Sequence, residues 1–384
     1  MTPRWTSPLT GSQVYEADAR LVAATLPPGC ASLAILDGAY GLAKAAWDRI
    51  PRGGTLADLY QGHLDDVGRV CAASASLYLW NTSAGWAELH PHILARGWTF
   101  RALITWDKGV ASMAGKVDTA GLRTWFDVTE VCGFYQREEW AIGESAGAMI
   151  GTAAGKDTRN PTTEFIRTER EHSGMTRKQM AAYFPSASGG LTGCVTNWEE
   201  GYNFPTWEVY QRFAAACAEH GPTRERPYLV HPSQWPAGDL RASYDHLRAE
   251  YDHLRAEYDA SRPPFTCPLG VGNVWSTGQV AGPERLKDGN GDTMHPCQKP
   301  LLFAERMIRA SSRPGGLVWA PFGGTLREMV AAERMARLDP AEARKVVTCE
   351  LNLDGKDYIG AALEQIGAEV RPMVGQIGLF GGGR

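Results

Sequence analysis

Asp37-Gly38-Ala39-Tyr40 follows directly on the apolar run 31–36 (ASLAIL). A carboxylate at the end of a buried strand, then a tight turn and an aromatic ring, sits where α/β sheets bind ligands. The carboxylate can accept hydrogen bonds and the ring can stack on a planar group. Taken alone, the segment equally fits an ordinary Asp turn after a strand. Two later segments add to it. Thr293-Met294-His295-Pro296-Cys297-Gln298-Lys299-Pro300 precedes an amphipathic helix over 301–310. The strand Leu317-Val318-Trp319-Ala320 then runs into Pro321-Phe322-Gly323-Gly324-Thr325 and a helix over 326–337. A strand, a glycine turn and a helix let the backbone approach a ligand and offer it a helix N-terminus. The next strand, 345–349, ends at Glu350. An acidic residue there can accept hydrogen bonds from ribose hydroxyls.

The elements that must position these residues are of one kind. Strand-type runs at 76–80 and 100–106 flank a helical spacing over 56–73. The alternation predicts βα units and a largely parallel sheet. Between about 155 and 240 the apolar runs shorten while Gly, Pro and charged residues increase, as in an inserted unit. The heptad YDHLRAE occurs at 244–250 and again at 251–257. It sets Tyr244, Leu247, Tyr251, Leu254 and Tyr258 on one helical stripe. That stripe predicts an amphipathic helix packed on the body, with a homodimer contact as the second reading. His246 and His253 lie about two turns apart without dedicated carboxylates, so no metal site is expected.

Composition sets outer bounds. The chain has 384 residues, enough for two structural units or one large domain with insertions. With 39 Lys plus Arg against 43 Asp plus Glu, the net charge of −4 argues against a polybasic binder. It leaves room for a local basic cleft. The eight cysteines are scattered, no two of them two residues apart, which disfavours zinc ribbons and disulfide frameworks. No run approaches a membrane span, and the N-terminal residues lack signal-peptide character. A cytoplasmic protein is the expectation.

Read together, the segments resemble the DNA amino-methyltransferases of the β arrangement, in which the catalytic motif comes first, target recognition in the middle and the cofactor motif last. The family's Asp-Pro-Pro-Tyr corresponds to Asp37-Gly38-Ala39-Tyr40. His-Pro-x-Gln-Lys-Pro is present as His295 through Pro300. Asp-Pro-Phe-x-Gly-Ser-Gly appears as Ala320-Pro321-Phe322-Gly323-Gly324-Thr325-Leu326. Shorter pieces around Trp47-Asp48, Tyr78–Thr82, Trp106–Gly109 and Thr129-Glu130 also resemble the family. The likeness covers about 30–140 and 290–365.

The resemblance implies a Rossmann-like methyltransferase sheet with helices on both faces and an inserted helical target-recognition unit. The implied layout is 1–152 for the catalytic half, 153–240 for the insert and 241–384 for the heptad helix with the cofactor half. It implies S-adenosylmethionine as cofactor, double-stranded DNA as partner, and methyl transfer to adenine N6 or cytosine N4 of a flipped-out base. Adenine is favoured because the family's adenine members usually carry Asp at the catalytic turn. Asp37 and the Gly38 carbonyl would accept from the target amine, and Tyr40 would stack on the base. His295, Gln298, Lys299, Pro321, Phe322, Gly323, Gly324, Thr325 and Glu350 would hold the cofactor. Two departures stand out. Both prolines of the catalytic turn are lost, relaxing it by about 1 kcal/mol per position. The cofactor-loop Asp is Ala320 and its last Gly is Leu326; Asp292 or Glu328 are the candidate replacement carboxylates. These departures motivate two alternatives, a catalytically impaired DNA-binding relative and a transferase using a modified cofactor.

In the middle, helices over 176–184, 192–200 and 206–220 each begin with a Thr suited to N-capping. The first two resemble a repressor-type helix-turn-helix with a long connection. In that reading Arg177 and Lys178 touch phosphate, while Thr192, Thr196 and Asn197 enter the major groove. Trp198 belongs to the module's core, and Glu199 and Glu200 point away from DNA. Arg167 and Arg170, interleaved with glutamates, read as a solvated face. The stretch 153–165 reads as a loop that orders on DNA.

Overall fold

The computed structural model describes residues 1–109, 123, 125, 127–137, 161–186, 192–201, 203–220, 240–352 and 355–370. The chain divides into two compact units, Met1–Glu139 with Pro263–Arg384, and Trp140–Arg262.

The first unit is one mixed nine-stranded sheet. Its strands are β1 (Trp5–Thr6), β2 (Gln13–Glu16), β3 (Ala31–Leu36), β4 (Cys71–Asn81), β5 (Trp98–Asp107), β6 (Thr129–Arg137), β7 (Val274–Ser276), β8 (Leu317–Ala320) and β9 (Lys345–Glu350). Their order across the sheet is β1-β2-β9-β8-β3-β4-β6-β5-β7. The run from β2 through β9, β8 and β3 to β4 is parallel. β6 is antiparallel to both β4 and β5. β3 is almost entirely buried, which explains its largely apolar sequence, interrupted by Ser32: both of its faces are covered.

Helices α1 (Ala19–Thr25), α2 (Leu56–Val70) and α3 (Ser83–Leu94) lie in this unit's first half. α9 (Leu301–Ser311), α10 (Arg327–Leu338) and α11 (Tyr358–Val370) lie in its second. They build separate cores. Leu56, Tyr60, Leu64 and Val67 of α2 join Ala34, Leu36, Leu77 and Leu79. Phe303, Met307, Val330 and Ile359 join Leu33, Ile35, Tyr78 and Trp80. Alternate residues of β3 and β4 thus serve opposite faces, the period-two pattern of a doubly covered sheet. α2 starts at a capping box in which Thr55 and Asp58 satisfy each other's backbone N–H groups. The strands at 76–80 and 100–106 extend further than expected. The short outer strands β1, β2 and β7 carry no pattern strong enough to be read from sequence.

The second unit contains α4 (Pro161–His172), α5 (Arg177–Ala181), α6 (Cys194–Glu199), α7 (Trp207–His220) and α8 (Leu240–Ser261). α8 is the heptad helix. It belongs to this unit rather than to the cofactor half, because Tyr244, Leu247 and Tyr251 are buried with Phe204, Tyr210 and Trp198. Leu254 is buried too, whereas the Tyr258 side chain lies outside the described residues. The expected loop 153–165 is helical from Pro161, and its residues up to 160 lie outside the described set.

Three further expectations in this unit are corrected. Thr176 caps α5 through a capping box with Gln179, but Gly193, not Thr192, precedes α6, and no side chain caps that helix. The Thr192 hydroxyl instead donates to the Phe184 carbonyl at 2.9 Å. Arg170 is buried rather than solvated, and it donates to Glu199 and to the Met175 carbonyl. Glu199 does not point outward. Its fully buried carboxylate takes Arg170 on one oxygen and Arg177 on the other, the latter at 2.5 Å. Trp198 packs edge-on against Phe184, as a core residue should. Among the described residues no helix is long and apolar enough to cross a membrane.

Candidate active site

Asp37 follows β3, the central strand of the sheet, within the parallel run, where strand C-termini open onto a crevice. The turn after it is held without prolines. Asp48, itself buried, accepts from the backbone N–H groups of Tyr40 at 2.6 Å, Gly41 at 2.9 Å and Lys44 at 3.1 Å. The Tyr60 hydroxyl donates to the Ala39 carbonyl at 3.1 Å. A Cβ at Gly38 would meet the Tyr60 hydroxyl at 2.6 Å and the Phe322 ring at 2.9 Å. Position 38 therefore admits only glycine unless those two rings move, and proline, which carries a Cβ, is shut out by the same contacts. The rigidity lost with the prolines returns through Asp48 and Tyr60.

A buried charge cluster surrounds Asp37. The Lys299 ammonium donates to Asp37 Oδ1 at 2.9 Å and to the Tyr40 hydroxyl oxygen at 2.8 Å, and pairs with Glu130 Oε2 at 2.9 Å. Three protons meet three acceptors. Tyr40 in turn lies 3.0 Å from Asp37 Oδ1 and 3.1 Å from Glu130 Oε2. The other Glu130 oxygen holds Lys108 at 2.6 Å. Burial would raise Glu130, but Lys299 and Lys108 outweigh it and hold its carboxyl at about 2. Burial would lower Lys299, but Asp37 and Glu130 keep it protonated. For Asp37 burial wins, and its carboxyl lies above the usual range despite Lys299. Among the described residues nothing donates to Asp37 Oδ2. That oxygen keeps its accepting capacity.

Next to Asp37 is a cavity of about 290 Å³, at the lower end of the ~300–1,000 Å³ of small-molecule sites. Pro321, Phe322, Gly323, Gly324 and Thr325 line it, as do His295 and Glu350. Glu350 Oε2 accepts from the Gly324 N–H at 2.7 Å, tying the end of β9 to the glycine turn. His295 is stacked on Trp47 at 5.3 Å and meets Tyr358 edge-on at 5.0 Å. A second, smaller cleft lies against Asp37, Gly38, Tyr40, Leu42 and Trp47. The two hollows share Asp37, Gly38, Trp47, His295 and Cys297.

The family model described as DNA methylase, for N6 and N4 amino-methyltransferases, matches residues 31–365. The chain belongs to this DNA methylase family. The type II methyltransferase M.HinfI of Haemophilus influenzae is 37% identical to it over 65 residues, which span 17% of the chain and 18% of that enzyme. Among solved structures, the cytosine-N4-specific PvuII DNA methyltransferase is similar over 95% of this chain and 93% of its own, with a TM-score of 0.47 at 13% identity. The M1.HpyAVI–SAM complex is similar over 92% and 98%, with a TM-score of 0.43 at 11% identity.

The cofactor of this methylase family is S-adenosylmethionine. The residues present suit it: an apolar slot formed by Phe322, Tyr60 and His63 for a purine, a carboxylate at the end of β9 for hydroxyls, and a glycine turn that opens the backbone. Leu326, in place of the family's last glycine, keeps a left-handed backbone, φ 53°, and buries its side chain completely. The strain of a non-glycine residue there is balanced by core packing. Ala320 is sealed in the core and presents nothing to the cavity. Asp292 is exposed on the 288–292 turn and does not line it; Glu328 does.

Two residues expected on the cofactor, Gln298 and Lys299, line the cavity while their polar ends are engaged within the protein. The Gln298 amide is bound to the 284–286 turn, accepting from Leu286 N–H at 3.0 Å and donating to the Glu284 carbonyl at 2.6 Å. It reaches the cavity only as part of its wall. Lys299 serves Asp37, Tyr40 and Glu130. Tyr60 and His63 lie outside the family-like pieces, whereas Asp48, Lys108 and Glu130 fall within them but carried no expected role. For Glu130 the signal was the family-like piece Thr129-Glu130 at the start of strand β6.

Proposed function

We propose that the chain is a site-specific DNA methyltransferase that moves the methyl group of S-adenosylmethionine to an exocyclic base amine, adenine N6, on a base flipped out of the duplex. One observation carries the reading. Asp37 stands where the cofactor cavity and the smaller cleft meet, with Oδ1 occupied by Lys299 and Tyr40 and Oδ2 accepting from no described residue.

The bound cofactor supplies an electrophilic methyl group on a sulfonium. The protein's part is to present the nucleophile. Asp37 Oδ2 and the Gly38 carbonyl accept the two amine hydrogens, which turns the nitrogen lone pair toward the cavity. As the N–C bond forms and the S–C bond of the sulfonium breaks, leaving a neutral thioether, the Asp37 carboxylate opposite would stabilise the positive charge growing on the nitrogen and take the released proton. Lys299 opposes the effect of burial on the Asp37 carboxyl, and the Glu130–Lys108 pair fixes Lys299. Tyr40 is anchored through its hydroxyl, so its ring is fixed as a stacking surface for the base.

In the second unit, Lys178 and Asn197 are exposed and Thr196 is partly so, as a DNA-facing surface requires. Arg177 is held by Glu199, and its charge is largely answered within the protein, which leaves Lys178 as the stronger phosphate contact.

The test is to sequence DNA from cells expressing the protein, with modified-base detection. N6-methyladenine at a defined motif is expected. N4-methylcytosine would reassign the base. Unmodified DNA, together with retained DNA binding, would favour the impaired relative.

A further inference from the structure

Asp37 and Glu130 each pair with a lysine, whereas the one buried carboxylate on the cavity wall pairs with no cation among the described residues. Glu328 lies in the first turn of α10, is 9% exposed, and lines the cavity. Among the described residues no side chain hydrogen-bonds or ion-pairs with it; only its own backbone N–H lies against the carboxylate. Arg327, its neighbour in sequence, turns away to the Thr325 carbonyl at 3.1 Å and to Gln365 at 2.5 Å. A buried charge left in this state is costly unless a ligand completes it. The ligand of this cavity carries positive charge on its sulfonium and on its α-ammonium. From this we infer that Glu328 receives the α-ammonium of S-adenosylmethionine, supplying from helix α10 the carboxylate that Ala320 cannot. The inference rests on S-adenosylmethionine being the cofactor.

A proton accompanies the assignment. Burial raises the Glu328 carboxyl to about 7, with Asp37 adding to the rise while its own amide, Arg327 and Lys299 oppose it. Other titratable groups on the same cavity are Asp18, Tyr60, His63, His295, Cys297, Cys349 and Glu350. A cation arriving beside Glu328 favours the ionised form. Below pH 7, binding therefore expels the proton that Glu328 carries. Affinity should rise with pH up to about 7, close to tenfold per unit, and then level off.

The test is calorimetric titration of S-adenosylmethionine into the full-length protein at pH 6, 7 and 8, in buffers of differing ionisation enthalpy. Wild-type protein should release close to one proton at pH 6 and almost none from Glu328 at pH 8. Glu328→Gln keeps shape and removes charge. It should weaken binding tenfold or more at pH 8, lose most of that difference at pH 6, and abolish the proton release. His63 and His295 remain in this variant, so release that persists would belong to them and overturn the assignment. Equal or tighter binding by Glu328→Gln would also overturn it. S-adenosylhomocysteine retains the ammonium but lacks the sulfonium charge. It should show the same loss, and a loss confined to S-adenosylmethionine would move Glu328 to the sulfonium and defeat the ammonium assignment. The wild-type proton count stands whether or not the variant folds. If wild-type protein binds neither compound, the cofactor reading itself fails, an outcome distinct from binding without linkage.

Discussion

Two ion-paired carboxylates, one in each unit, meet two very different fates. Glu199 in the helical unit is fully enclosed, and both its oxygens are taken by guanidinium groups of Arg170 and Arg177. Asp37 in the sheet unit is only partly exposed, 21% of its side chain, and faces a cation, yet Lys299 and Tyr40 share a single oxygen. The first is closed and can do nothing more than tie three segments together. The second retains accepting capacity beside a cavity. Burial and ion pairing alone do not mark a chemical group; unfilled valence next to a cavity does.

Substitutions can break or sharpen that contrast. Asp37→Asn should have the largest effect. It keeps the volume but removes the charge and the proton acceptor, and methyl transfer should fall by about 10³-fold or more in single-turnover assays. Cofactor affinity by calorimetry should move little. Retained turnover would remove Asp37 from the chemistry.

Glu199→Ala should come next, and it should act on folding instead. It strands Arg170 in the interior, a loss of about 3–5 kcal/mol in urea denaturation of the helical unit. Cofactor binding to the sheet unit should be unchanged. A stable Glu199→Ala protein would show that this cluster is not the clasp described here.

Lys299→Met isolates the cation beside Asp37. The burial that raises the Asp37 carboxyl would then be opposed by the Tyr40 hydrogen bond alone. Because the ionised form is needed, the acidic limb of the pH–rate profile should shift to higher pH, by about one unit or more. An unmoved limb would separate Lys299 from the state of Asp37.

The smallest effect is expected on the surface of the helical unit. Lys178→Ala should reduce the slope of log affinity for duplex DNA against log salt by about 0.9. Arg177→Ala, already paired with Glu199, should reduce it less and cost stability instead. Equal slopes for the two variants would overturn the distinction between them.

The central strands and the helices around them were legible because each carries a strong local pattern. The run 31–36 is largely apolar, and 301–310 repeats at helical spacing. Edge strands such as β1 and β7 are two and three residues long and leave no period to read. The heptad helix was legible as a helix but not as a member of the second unit. Its stripe announces an apolar face without saying which tyrosines and phenylalanines will cover it. Glu199 illustrates the same limit: a glutamate on a short polar helix looks solvated until Arg170, 29 residues earlier, reaches it.

The candidate site divides along similar lines. The order of Asp37, His295–Pro300, Pro321–Thr325 and Glu350, with the matching residue types, sufficed to indicate the family and its cofactor. These segments are short, and their chemistry depends on residue type and local backbone. Which side chain serves which partner was decided only by the tertiary structure. Lys299 stands 262 positions from Asp37 and comes within 2.9 Å of it. Glu130 joins them because β6 inserts antiparallel between β4 and β5. Asp48 and Tyr60 replace two prolines in holding the turn, through hydrogen bonds that no motif records. The physical reason is reach. A hydrogen bond is satisfied by whatever the fold brings within about 3 Å, and the order of strands in the sheet, not their order in the chain, determines what that is.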